Sequence, residues 1–176
     1  MGPALVTPYA LTVDAGIKDL RAADHLIQLL AAELDLPEGV FGCTHLVRGD
    51  RPRVALSFTL PSEPLLRTAR ERLAAGEYEV TPGAPDAAGR AVIYPGVSSL
   101  MGTLTIADVL TRSAIDRVTV LGGRPGQLAP DTRLVTWDHV RPQWQDGELV
   151  LTAMPAAGGT LVPFEVPAPT PCCADH

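Results

Sequence analysis

The chain has 176 residues, 46% of them hydrophobic and 19% charged, with a formal net charge of -6, which is enough aliphatic material for one packed core and too much for a disordered polymer. Its basic residues are all arginine apart from Lys18. With an acidic balance and no basic stripe, the chain lacks the electrostatic footprint for nucleic acid or an anionic membrane, and both partners are set aside.

The amino-terminal residues Met1 to Tyr9 have no basic region and meet Pro8 before an apolar stretch can develop, so they do not read as a signal peptide. No apolar run approaches the length of a membrane span. The expectation is a soluble cytoplasmic protein, and the Ala, Pro, Gly and Arg bias suggests a GC-rich bacterial genome. In a reducing compartment the three cysteines are expected to be free thiols or metal ligands rather than disulfides.

Leu5 to Val13 mixes β-branched and apolar residues and predicts a first strand, with Pro8 at an edge or kink. From Ala22 to Leu36, the residues Ala23, Leu26, Ile27, Leu30, Ala31 and Leu34 recur at three-and-four spacing before Pro37 and Gly39, which predicts an amphipathic helix. Val40 to Val47 and Arg53 to Leu60 then read as two strands of a hairpin, divided by Arg48-Gly49-Asp50-Arg51-Pro52. Ser62 is placed to cap a second helix, Pro64 suits its first turn, and Leu65, Leu66, Ala69 and Leu73 form its apolar stripe up to Gly76. Tyr78 to Thr81 completes the order strand, helix, strand, strand, helix, strand, which is that of a ferredoxin-like split unit. The turn-forming stretch Pro82 to Gly89 is the expected internal boundary or mobile loop within a single domain of residues 1 to 176.

Beyond it, Arg90 to Tyr94 predicts a buried strand, and Thr105 with Asp108 resembles a capping box for a short helix through Val109 and Leu110. Arg117 to Leu121 is the strand that follows, so that strand, helix and strand suggest a parallel crossover. Arg133 to Val140, Glu148 to Met154 and Thr160 to Val166 predict a carboxy-terminal β meander. The fold class is therefore α+β: an antiparallel or mixed sheet with two or three helices on one face. An uncovered sheet face or edge suggests a homodimer.

Two residue sets carry candidate chemistry. If residues 133 to 141 are extended, Arg133, Trp137, His139 and Arg141 project from one face. Two guanidinium groups, an indole and an imidazole there could hold a planar anionic ligand, and Arg124 in the loop Gly122 to Gly126 could reach the same anion. The plainer alternative is a solvent-facing sheet surface whose arginines cover Trp137. The second set is Cys43, His45, Cys172, Cys173 and His176, which are the right residue types for zinc or copper, although the spacing is not that of a standard finger. Here the plainer alternative is a small buried Cys43 and an ordinary chain end.

Catalytic readings are weaker. Ser98 and Ser99 lack the second glycine of a nucleophile elbow, and adjacent Asp138 and His139 would face opposite ways on a strand. The expectation is a noncatalytic binding or accessory protein, for a small anionic molecule or a protein partner, whose surface is the Arg133/Trp137/His139/Arg141 face. The alternative is a metal- or thiol-dependent protein built on the Cys/His set.

Overall fold

The computed structural model describes residues 9–76, 78–85, 88–123 and 128–167. They form three helices and eleven strands in both parallel and antiparallel pairings, an α+β protein. No described helix is long and apolar enough to cross a membrane. Two compact units divide the chain, the first comprising residues 1–95 and 142–149 and the second residues 96–141 and 150–176.

In the first unit the strands are β1 (Ala10–Asp14), β2 (Phe41–Val47), β3 (Arg53–Thr59), β4 (Glu79–Pro82), β5 (Arg90–Ile93) and β9 (Gln143–Gln145), and the helices are α1 (Leu20–Glu33) and α2 (Glu63–Ala75). The strands lie in the order β4-β1-β3-β2-β5-β9, each antiparallel to its neighbour. Local chemistry sets the helix starts. The Asp19 carboxylate accepts the Ala22 N–H at 2.9 Å, and Ser62 caps α2 through the Leu65 N–H with Pro64 in the first turn.

Strand alternation then divides the sheet into two faces. Leu11 and Val13 of β1 and Val54, Leu56 and Phe58 of β3 pack with Ile27 and Leu30 of α1 and with Leu66, Ala69 and Leu73 of α2. Both helices therefore cover one face. Gly42 makes the close approach of α1 possible, since a Cβ there would stand 2.9 Å from the Ile27 methyl.

The segment expected as a boundary runs within this unit. β4 is the outer strand at one end, while β5 lies beyond β2, so the link from Pro82 to Arg90 must cross about four interstrand spacings, roughly 19 Å. Eight residue steps reach about 28 Å at most, enough to make that crossing. Its described ends lie on the face opposite the helices: Thr12 donates to the Gly83 carbonyl at 2.7 Å, and Gly89 sits against Cys43, His45 and Trp144. That second face is also buried at Cys43, His45, Ala55 and Ser57.

In the second unit, β6 (Thr103–Thr105), α3 (Ile106–Arg112), β7 (Arg117–Val120), β8 (Arg133–Val135) and β11 (Leu161–Pro163) join the residues of β10 (Glu148–Pro155) from Val150 onward. The Thr105 hydroxyl accepts the Asp108 N–H at 3.1 Å and starts α3 as its sequence implied. The strand order is β6-β8-β11-β10-β7. Of the expected meander, β10 and β11 pair antiparallel, while β8 lies beyond β11 and runs parallel to it instead of pairing with β10; β10 also pairs in parallel with β7. β8 also stops at Val135, five residues short of the expected strand end.

Candidate functional site

The end of β8 is the most constrained feature of the second unit. Thr136, fully buried, gives both its backbone N–H, at 2.9 Å, and its hydroxyl, at 2.7 Å, to the carbonyl of Gly102. The next two residues, Trp137 and Asp138, both take left-handed backbone angles, with φ 55° and 53°. The His139 N–H then returns to the Thr136 carbonyl at 3.1 Å. This is a four-residue turn with positive φ at both central positions, the geometry that normally selects Asn-Gly or Asp-Gly.

Aspartate tolerates that conformation, but a bulky tryptophan is an outlier in it. Strain of this kind costs on the order of 1–3 kcal/mol per residue and persists only where the surroundings overdetermine it. They do so here. Besides the Thr136 bonds, Asp138 Oδ1 accepts the Gly102 N–H at 2.8 Å and the Asp138 N–H reaches the Thr136 hydroxyl at 3.2 Å. Gly102 itself has φ 68°, open to glycine without penalty.

This arrangement presents apolar surface to solvent. Trp137 is 58% exposed and Met101, next to the Gly102 hub, is 59% exposed. His139, by contrast, is tucked in, with Nε2 2.8 Å from Glu165 Oε2 and its side chain 15% exposed. The carboxylate fixes the ring's orientation, as an ion pair when the imidazole is protonated.

The four residues expected on one strand face are thus distributed differently. Trp137 and His139 share the turn, while Arg133 is exposed at the start of β8, opposite Thr105 of β6. Arg141 lies past the turn with Nη1 3.4 Å from the Val140 carbonyl. The common extended face does not form, because the chain reverses after Thr136. Arg124 lies outside the described residues. Asp138 and His139 bond to different partners, Gly102 and Glu165 respectively, and Ser99 closes a short helical turn over Val97–Ser99.

Of the metal set, Cys43 and His45 occupy one face of β2, both buried, whereas Cys172, Cys173 and His176 lie outside the described residues. Burial pushes the Cys43 thiol up to about 12, against a smaller opposing effect of the Trp144 hydrogen bond. His45 Nε2 lies 2.6 Å from Ser57 Oγ. Among the described residues, no group of three or more His, Cys, Asp or Glu side chains is placed to hold a metal ion.

Sequence reasoning missed Met101, Gly102, Thr136 and Glu165. Gly102 carried no signal beyond being a glycine between two apolar stretches, and its bonds to Thr136 span 34 residues. Comparison with protein-family models, curated proteins and solved structures finds no match to this chain.

Proposed function

We propose that this chain is a noncatalytic binding or accessory protein whose recognition element is the Thr136–His139 turn, and that its ligand is a protein partner with an apolar pocket for Trp137. The carrying observation is the pair of left-handed residues at Trp137 and Asp138. A turn that stabilised only the fold would do better with Asn-Gly, so the strained indole is retained for what it presents. Tryptophan and methionine are enriched at interface centres, and Trp137 and Met101 flank one hydrogen-bonded hub. An exposed indole at a turn suits insertion into a partner better than enclosure of a small anion, for which Arg133 and Arg141 would have to converge.

The test is a comparative affinity capture from lysate of the source organism, using the wild-type chain and the Trp137→Ala variant at matched folding by circular dichroism. The expected result is a protein retained by the wild type and lost with Trp137→Ala. In a Trp144→Phe background Trp137 is the sole tryptophan, and its emission should shift to the blue when the recovered partner is added. Equal capture by both chains, or emission unchanged by the partner, overturns the proposal.

A further inference from the structure

A cavity of about 300 Å3 opens near one end of the first unit's sheet, floored by β1, β3 and β4 and bordered by Ala84 and Pro85. Three charged side chains stand in a row across it. Glu79 of β4 is the direct register partner of Asp14 of β1, and Asp14 is ion-paired on its other side with Nε of Arg53 of β3. Carboxylates directly opposite each other on neighbouring strands repel, and only one of these two is neutralised among the described residues.

The unused valences define what would complete the row. Asp14 is satisfied, accepting the Gly16 N–H at 3.0 Å as well as bonding Arg53. Glu79 makes no hydrogen bond or ion pair among the described residues, so one carboxylate faces the cavity without a cation. Arg53 gives Nε to Asp14 and Nη1 to the Arg51 carbonyl at 3.5 Å, which leaves Nη2 without an acceptor among the described residues. Between these ends, Val47 and Pro85 supply apolar wall and Thr81 a hydroxyl.

An anion alone would meet two carboxylates, and a cation alone would leave the guanidinium edge unmatched. A molecule with an ammonium at one end and a carboxylate at the other answers both. We infer that this cavity is a binding site for a small zwitterion of the amino-acid class, its ammonium against Glu79, its carboxylate against Arg53 and its aliphatic part against Val47 and Pro85. The volume stands at the lower end of ligand pockets and fits a molecule of that size.

The experiment is isothermal titration of the full chain with each common α-amino acid, followed by analogues of the best binder that keep only its amine or only its carboxylate. Saturable binding by at least one amino acid is expected, with each single-charge analogue about tenfold or more weaker, since each loses one charge-assisted contact. Glu79→Gln, on an exposed edge strand, should not lower the melting temperature and should weaken the amino acid by a similar factor, while the carboxylate-only analogue binds at least as tightly as it does to the wild type, since one repelling carboxylate is gone. Trp137→Ala should bind as the wild type does, which separates this site from the turn. An amine-only analogue that binds as tightly as the amino acid would make this a cation site and overturn the inference. Absence of binding by every amino acid at millimolar concentration would overturn it as well.

Discussion

Arg90 on β5 grips Asp24 on α1 through two parallel hydrogen bonds, Nη1 to Oδ1 at 2.6 Å and Nη2 to Oδ2 at 3.0 Å, with side chains only 10% and 11% exposed. The same Nη1 also reaches the Thr44 hydroxyl on β2 at 3.3 Å. This bidentate pair, buried between helix and sheet, fastens the helix to the sheet in one register. Two charges taken from water are costly unless each is fully matched, and the fork geometry of guanidinium and carboxylate supplies that match.

Breaking one side of this pair should therefore be much worse than removing both. Asp24→Leu removes the carboxylate that the buried Arg90 fork grips and is expected to cost about 3–5 kcal/mol, whereas Asp24→Leu with Arg90→Met should cost far less or stabilise. Urea unfolding of the wild type, both single variants and the double variant measures the coupling. Additive single effects would show that the two residues do not act as a unit.

The Asp14–Arg53 pair makes a prediction about acid stability. Burial tends to raise the Asp14 carboxyl, but the Gly16 N–H and the Arg53 guanidinium outweigh it and hold the group below its ordinary 3.8. The folded state thus releases this proton more readily than the unfolded one. Its stabilisation is present above about pH 4 and is lost as pH falls through the lowered folded value. Asp14→Asn should melt below the wild type at neutral pH, and the gap should close in acid. A gap that stays constant from neutral pH down to about pH 3 would contradict the assignment.

Cys43 should be inert while the protein is folded. With Cys172 and Cys173 replaced by serine, iodoacetamide at mildly alkaline pH should label the thiol only after denaturation, because burial holds it protonated up to about 12. The unfolded thiol ionises near 9, so stability present below that pH should decline as pH rises toward the folded value. Rapid labelling of the native chain would show that β2 is readily exposed in the folded protein.

The turn should show stability and recognition pulling in opposite directions. Trp137→Gly places a residue at ease with positive φ and is expected to raise stability by about 1 kcal/mol, while partner capture falls. Asp138→Ala removes the acceptor for the Gly102 N–H and should destabilise by about 1–2 kcal/mol. Denaturant midpoints give both values. A Trp137→Gly protein less stable than the wild type would mean that the indole serves the fold itself.

The chain pattern made α1 legible in outline, because Ala23, Ile27 and Leu30 keep the helical period and all three are buried. It did not mark Asp24, a charged residue among them, since its partner Arg90 is 66 residues away. The hairpin of β2 and β3 and the cap of α3 were equally readable, being set by neighbours a few residues apart. For β8, alternation from Arg133 to Arg141 promised one continuous face. Period alone could not show that the chain reverses after Thr136, because the bonds that hold the reversal come from Gly102.

What the sequence determined by itself were the local decisions: where helices begin, which stripe of each is apolar, and that the class is α+β. Those follow from short-range sterics, capping and hydrophobic periodicity, which act over a few residues. Tertiary structure decided the rest: the parallel pairing of β11 with β8, the burial of a second sheet face at Cys43 and His45, the strained Trp137, and the row Glu79–Asp14–Arg53. Each of these depends on hydrogen bonds or charges between segments far apart in the chain. Such partners are selected only when the sheet closes and every buried polar group must find a match.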